Sequence, residues 1–272
     1  MKRSFLYNLF TEARFSHAKK YLVKQLLYRP NQYETFVLAK DRKRALNIWA
    51  LRQVNKRIAH VEGDLYLWNF NDEKWLGNLD HIYGLYEYLQ GSFDNFYACD
   101  CREKVVLDIG GYIGDSARYF LKQGAAKVVV YEPVPLNVRC CQENLAGLPV
   151  EIIPHGVSEK GERFTISSNY PAGHIGFGSA GDSYHLEVES TTFQSILGKG
   201  SFDIAKVDCE GNEKYLLNLT SDELSKVAHW IIEIHDSALV KPLQDHFAKA
   251  GFVSEAKAVE QGHLPVFHFK AN

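Results

Sequence analysis

Four polar residues close two apolar runs of the chain. Asp208 and Glu210 follow Phe202-Asp203-Ile204-Ala205-Lys206-Val207, and Glu233 and His235 lie at the end of Ala228-His229-Trp230-Ile231-Ile232-Glu233-Ile234-His235. Period-two spacing puts Asp208 and Glu210 on one side of an extended chain, and does the same for Glu233 and His235. Three carboxylates and an imidazole at one edge admit two active readings. One is a general base, with His235 or Asp208 best suited, that relieves a weak oxygen nucleophile of its proton. The other is an oxygen-and-nitrogen site for Mg²⁺ or another divalent ion. A plainer reading has Asp208 orienting a ligand while Glu210 and Glu233 bond to backbone.

A second group of residues surrounds a glycine cluster. Lys104-Val105-Val106-Leu107-Asp108-Ile109 is an apolar run ending near an acid, Gly110-Gly111-Tyr112-Ile113-Gly114-Asp115 follows, and Ser116 to Lys122 has helical character. The expected structure is strand, tight turn, helix, which is where α/β domains bind nucleotide-like ligands. Gly110, Gly111 and Gly114 supply the bend and bare backbone for a close approach. Their spacing is not that of the dinucleotide fingerprint G-x-G-x-x-G, because Tyr112 takes the place of the second glycine. Asp108 would repel a pyrophosphate, but it suits a ligand with an ammonium group and a sulfonium, as S-adenosylmethionine (SAM) has. Glu132 ends the next apolar run, Ala126 to Tyr131, 18 residues beyond Gly114, where a carboxylate can accept both ribose hydroxyls. Asp115, Pro133, Gly156, Val157 and Asp208 complete the set expected to contact the cofactor.

These residues need elements to hold them. A third strand is expected at Val150–Pro154, a fourth at Phe202–Asp208 and a fifth at Ala228–His235. Helices are expected from Pro135 to Ala146, from Thr191 or Thr192 to Gly198, and from Ala238 to Ala250. Phe252–Val259 and Val266–Lys270 flank a Gly-Pro-containing turn and predict a terminal β-hairpin. An inserted strand pair, Arg163–Ile166 and Leu186–Glu189, brackets Ser167–Tyr184, whose glycines 173, 176, 178 and 181 predict a lid over the acceptor. Residues 1–80 are expected to be a mainly helical extension, with an amphipathic helix over Thr11–Tyr28, a basic run from Lys40 to His60 and a strand over Asp64–Phe70. Residues 81–272 form the catalytic domain, and one or two of Tyr83, Tyr86 and Tyr88 are expected at the cleft wall.

Charge excludes little but favours nothing polyanionic: 31 Lys and Arg face 33 Asp and Glu, a formal net charge of −2 over 272 residues. The five cysteines, at 99, 101, 140, 141 and 209, include no C-x-x-C pair and no zinc spacing, so free thiols in a reducing compartment are expected. With no signal-like leader and no run long enough to span a bilayer, a soluble cytoplasmic protein is expected.

The segments Val106–Asp115, Tyr131-Glu132-Pro133-Val134-Pro135-Leu136-Asn137, Val188-Glu189-Ser190-Thr191-Thr192-Phe193, Ala205–Glu213 and Ile232–His235 together resemble the FkbM family of SAM-dependent methyltransferases, from about Asp80 onward. The K-x-D-x-E-G-x-E block at Lys206–Glu213 is the most specific of these. Gly111 stands where alanine is usual, Tyr112 where asparagine is usual and Phe193 where leucine is common. The resemblance implies a class I methyltransferase fold, a Rossmann-like seven-stranded sheet in the order 3-2-1-4-5-7-6 with the last strand antiparallel. It also implies methyl transfer to oxygen, with acceptors among sugars, glycoconjugates and natural products. A small-molecule or carbohydrate acceptor is therefore expected, and no nucleic acid. An RNA or protein methyltransferase and a SAM-binding module without catalysis are the alternatives.

Overall fold

Val105–Ile109, Lys127–Tyr131 and Ile204–Val207 are short strands of largely apolar residues with almost no polar alternation, the signature of parallel strands covered on both faces. The computed structural model describes residues 58–63, 65–70, 73–78, 81, 85, 88–89, 91–168, 184–257 and 265–271. The chain divides into two compact units, Met1–Ile82 and Tyr83–Asn272.

In the first unit the described residues form a three-stranded antiparallel sheet of β1 (Ile58–Glu62), β2 (Leu65–Phe70) and β3 (Glu73–Gly77), with β2 in the middle. Trp68 pairs with Trp75 across β2 and β3, and both indoles are buried. β3 opens with the polar pair Glu73-Lys74 before the buried Trp75. The helix expected over Thr11–Tyr28 and most of the basic run lie outside the described residues.

The second unit begins with α1 (Phe93–Phe96) and continues β4 (Val105–Ile109), α2 (Asp115–Lys122), β5 (Lys127–Tyr131), α3 (Pro135–Asn144) and β6 (Val150–Ile153). Next come two-residue strand β7 (Gly156–Val157), β8 (Phe164–Ser168), β9 (Tyr184–Val188), β10 (Ser190–Thr191) and α4 (Phe193–Lys199). The chain then forms β11 (Ile204–Val207), a 3₁₀ helix over Asn212–Asn218, α5 (Ser221–Leu224), β12 (His229–Glu233), α6 (Val240–Lys249), β13 (Phe252–Lys257) and β14 (Val266–Ala271).

Seven of these strands make one sheet, β6-β5-β4-β11-β12-β14-β13. Numbered along the chain this is 3-2-1-4-5-7-6, and β14 is antiparallel to both of its neighbours. The sheet and hairpin expected from sequence are therefore found. The inserted pair is present as β8 and β9, but the segment between them, where the lid was expected, lies outside the described residues. A short parallel pairing of β7 with β10, which no sequence signal announced, ties the third strand's exit to the approach to α4. Helix ends follow local chemistry: Thr192 accepts from Ser195 N at the start of α4, and Thr220 and Glu223 form a reciprocal capping box on α5.

Trp230, Phe247 and Phe269 join Leu107, Val207 and Ile232 in the main core beneath the sheet. Within parallel β4, β5, β11 and β12 the strands point their C-terminal ends to one edge, where a crevice opens between diverging connections. Among the described residues no helix is long and apolar enough to cross a membrane.

Candidate active site

β4 and β11 are neighbours in register, with Lys206 opposite Asp108. This pairing sets the electrostatic centre of the crevice. Lys206 Nζ lies 3.2 Å from Asp108 Oδ1 and 3.4 Å from Asp208 Oδ2, and donates to the carbonyl of Gly110 at 2.7 Å. Burial opposes the charge on this lysine, but Asp108, Asp208, Asp115 and Glu233 surround it and hold its pKa above the ordinary lysine range. One buried cation thus bridges the glycine turn to the four-residue cluster. The sequence showed Lys206 inside a motif, but an apolar strand gives no sign that its lysine points at two acids on the same sheet face.

Asp108 is fully buried; the Ser116 hydroxyl donates to its Oδ2 at 2.6 Å, while Oδ1 faces Lys206 without an aligned hydrogen bond. The glycines beside it are required by the protein's own packing. A Cβ on Gly110 would lie 1.7 Å from the Asp208 carbonyl oxygen, and one on Gly111 would lie 2.2 Å from Val130 Cγ1. Close approach is thus made by β11 and β5, in addition to any ligand. Asp115 opens α2 with its carboxyl buried, pushed up to about 7 by that burial, with Lys206 opposing and Asp108 adding to the shift.

Glu132 sits at the end of β5 as expected, 5% exposed. Its Oε2 accepts from Tyr112 N at 2.9 Å, and its Oε1 accepts from Val134 N at 2.9 Å and from Asn137 Nδ2 at 3.1 Å. A carboxylate offers about four acceptor positions, so three donors leave room for a hydroxyl. Burial raises this carboxyl to about 7, against the pull of those donors. Glu132 therefore pins the glycine turn at Tyr112, a residue held at φ 47 where asparagine is easier to accommodate. Asn137, which positions Glu132, was not among the residues picked from sequence.

Gly156 and Val157 are placed differently from the acids. A Cβ on Gly156 would meet the Phe164 ring at 2.9 Å and Pro133 at 3.3 Å, so this glycine lets β8 pack beneath the Glu132-Pro133 corner. Val157 is buried, and its carbonyl accepts from Asn212 Nδ2 at 2.9 Å.

Asp208, Glu210 and His235 come together, but past the strand ends and not by period-two spacing: β11 stops at Val207, β12 stops at Glu233, and Glu210 lies in a turn at φ 54. His235 Nε2 is 3.3 Å from Glu210 Oε2 and 3.6 Å from Asp208 Oδ1, and Nδ1 is 3.0 Å from Glu213 Oε1. Burial would lower the imidazole pKa, yet the Glu213 hydrogen bond and the Asp208, Glu213 and Glu210 charges push it up to about 9, so the ring is a cation at neutral pH. Glu210 is pushed up to about 7 by burial and by Asp208, with His235 opposing. Glu233 ends β12, and the Tyr97 hydroxyl lies 3.4 Å from its Oε2. Asp208, Glu233 and His235 each offer one donor atom, all within 4.8 Å of one another.

Glu213, overlooked in the sequence, organises this corner. Wholly buried, it accepts from Cys209 N at 3.1 Å and from Gly211 N at 3.0 Å, and fixes the His235 ring from behind. Backbone bonding thus falls to Glu213, while among the described contacts Glu210 meets only His235. The turn is strained, since Glu210 has φ 54. That conformation costs a non-glycine residue about 1–2 kcal/mol, less for asparagine. Glu210→Asn is therefore expected to stabilise the domain by about 1 kcal/mol, raising the thermal midpoint by about 2–4 °C, while turnover falls. A calorimetric scan paired with an activity assay checks both signs; a destabilised variant would remove strain from the account.

Tyr83 and Tyr86 lie outside the described residues. Tyr88 packs edge-on against Phe93, and Lys122 stands over its ring. The described tyrosine that reaches the catalytic edge is Tyr97.

The titrations also set a stability slope. Asp115, Glu132 and Glu210 have folded pKa values near 7, above their unfolded values, so their contribution is full at low pH and is lost as pH rises through about 7. His235 adds in the same direction, its contribution being lost as pH rises from its unfolded value toward about 9. The thermal midpoint of the ligand-free protein is expected to fall steadily between about pH 6 and about pH 9, measured by scanning fluorimetry. A midpoint that rose over this interval would contradict these assignments.

The crevice fits SAM on its own chemistry: Asp108 has a buried oxygen without an aligned donor, Glu132 keeps acceptor capacity, and a glycine turn lies between them. Comparison with family models points the same way. A family model, the methyltransferase FkbM domain, matches residues 108–254, more than half of the chain. A search of curated proteins finds no match. Among solved structures, the SAM-dependent methyltransferase from Agrobacterium tumefaciens is similar at 12% identity, covering 78% of this chain and 72% of that one with a TM-score of 0.43. The ribosomal protein L11 methylase from Lactobacillus delbrueckii subsp. bulgaricus is similar at 15% identity, covering 70% and 81% with a TM-score of 0.42. TrmK from M. capricolum in complex with S-adenosyl-homocysteine is similar at 13% identity, covering 62% of each chain with a TM-score of 0.41. The family match begins at Asp108 itself and takes in both Glu132 and the Lys206–Glu213 block, so this chain belongs to the FkbM family of SAM-dependent methyltransferases.

Proposed function

We propose that this protein methylates a hydroxyl group of a sugar, glycoconjugate or natural product. The observation that carries this reading is the pair of partly exposed carboxylates, Asp208 and Glu210, flanking a protonated His235 beside the buried Lys206–Asp108 pair. Bound SAM supplies an electrophilic methyl group on a sulfonium. Asp108 and Glu132 hold the cofactor at its two ends, and Lys206 fixes Asp108 and the glycine turn. The acceptor hydroxyl hydrogen-bonds to Glu210 or Asp208. That carboxylate would take the hydroxyl proton as the oxygen is methylated. A carboxyl poised near 7 is matched to this task at neutral pH. His235, charged and held by Glu213, keeps the two carboxylates apart and oriented.

An acid-rich mouth also supports a neutral hydroxylated acceptor over a polyanion such as RNA, whose phosphates Asp208, Glu210 and Glu233 would repel. The basic segment Lys40–His60 is the docking surface an RNA acceptor would need, and residues 1–80 are the part of the chain we assign to acceptor choice. A metal-dependent reading rests on the donor set Asp208, Glu233 and His235.

Transfer of labelled methyl from SAM to panels of glycosides, polyols and RNA tests the proposal. Product is expected on a hydroxylated small molecule. Turnover should rise as Glu210 ionises near 7 and fall again as His235 loses its proton near 9. Treatment with EDTA is expected to leave the rate unchanged. Label in RNA alone would replace the hydroxyl reading, and a rate lost to EDTA and restored by Mg²⁺ would replace the metal-free one.

A further inference from the structure

Cys99 and Cys101 lie two residues apart on the segment joining α1 to β4. Their sulfurs are 3.2 Å apart, and Cys101 Sγ is also 3.5 Å from the Cys99 carbonyl oxygen. Cys99 is partly exposed and Cys101 is buried. Asp100, between them, is engaged by Arg102, and the charges facing the two thiols are Lys104 and Lys270 about Cys99 and Lys104 and Asp100 about Cys101. The hydrogen bond to Cys101 and burial raise the Cys99 thiol above the ordinary range, and Lys104 and Lys270 oppose that shift by favouring the thiolate that attacks a disulfide.

We propose that Cys99 and Cys101 form a reversible dithiol–disulfide site that reacts with low-molecular-weight disulfides of the glutathione class. The accessible Cys99 thiolate attacks one sulfur of the external disulfide, which releases its other half as a thiolate and leaves a mixed disulfide on Cys99. The Cys101 thiolate then attacks Cys99 Sγ, forming the Cys99–Cys101 bond and expelling the second half. The protein dithiol loses two electrons, the external disulfide gains them, and the two thiol protons end on the two released thiolates. The sulfurs need only close from 3.2 Å to about 2.05 Å. The hydrogen bond already shared by the two thiols moves the Cys101 pKa down, which suits the resolving position.

The remaining cysteines do not compete. Cys140 and Cys141 are adjacent on α3 and have no exposed surface. The Cys209 thiol is held protonated by burial and by the neighbouring Glu213 and Asp208. Nothing in the proposed methyl transfer uses Cys99 or Cys101, so this site stands or falls independently of the acceptor.

Full-length protein is equilibrated in glutathione buffers running from fully reduced to fully oxidised, quenched, denatured and alkylated. Alkylation is expected to fall from five thiols to three in the oxidised buffers and to return to five with dithiothreitol. Peptide mass spectrometry is expected to place a loss of about 2 Da, two hydrogens, on the peptide carrying both residues. Cys101→Ser is expected to stop at a stable glutathione adduct on Cys99, and Cys99→Ser to keep all its thiols. Five labelled thiols at every glutathione ratio would overturn the proposal, as would a wild-type protein that accumulates the Cys99 adduct without closing the ring. Circular dichroism of each variant separates these outcomes from misfolding.

Discussion

Lys206→Met is expected to lower the stability of the second unit by about 3–5 kcal/mol, the usual result of removing one partner from a buried ion pair. The ammonium is 2% exposed, and it stands 3.2 Å from an Asp108 carboxylate with no exposed surface at all. Methionine fills the space but leaves that carboxylate without a counter-charge and the Gly110 carbonyl without its donor. For a domain of this size each kcal/mol corresponds to about 2–4 °C in thermal midpoint, so a fall of about 6–20 °C is expected. Binding of S-adenosylhomocysteine should be lost with it, because the glycine turn and Asp108 are both held by this lysine. The double variant Asp108→Asn/Lys206→Met removes the stranded charge as well. It is expected to regain most of the stability and none of the cofactor binding. Scanning calorimetry and isothermal titration decide the matter; a single variant that melts with the wild type and still binds would show that the pair is not the hinge of the site.

The second large effect concerns rate. Asp208→Asn, which removes a proton acceptor, and His235→Ala, which removes the cation that orients the acceptors, are each expected to reduce turnover by about 10²–10⁴-fold, the range a positioned proton acceptor contributes. Stability should change far less. Removing the imidazole takes one contact from Glu213 but leaves its bonds from Cys209 N and Gly211 N, so the turn keeps its shape. S-adenosylhomocysteine affinity in His235→Ala should stay near wild type, because Asp108 and Glu132 lie outside the altered corner. Single-turnover assays on the identified acceptor separate the chemical step from binding. Near-normal rates for both variants would mean that the proton leaves by another route.

Much of this arrangement could be read from residue order, for a physical reason. Parallel strands carry continuous apolar runs and end abruptly in polar residues, so Asp108, Glu132, Asp208 and Glu233 mark where strands stop and where the proposed site lies. What the sequence concealed lies across strands. Lys206 pairs with Asp108 through sheet register, which no local pattern records. Glu213 reads as a helix-start acid, yet its carboxylate turns back onto Cys209 and Gly211 and then reaches His235 from β12's end. The three-stranded sheet at 58–77 was half seen: β2 alternates cleanly, whereas β3 begins with Glu73-Lys74, polar residues that read as a turn until Trp75 is found buried. The helix after β12 also begins differently from expectation, with a single 3₁₀ turn at Ser237–Leu239 capped by Asp236, because Pro242 is tolerated only in the first turn of α6.

The placement of β14 between β12 and β13 has a consequence for biosynthesis. A nascent chain that has emerged only as far as β13 has two strands with unpaired edges, β12 and β13, and a slot between them that nothing earlier in the chain can fill. Five strands, β6-β5-β4-β11-β12, can pair without Val266–Ala271, but β13 must wait for it, and until then the strand that carries Glu233 keeps an open edge. Pairing of Val266–Ala271 with both strands fills that slot and leaves β6 and β13 as the two edges of the sheet.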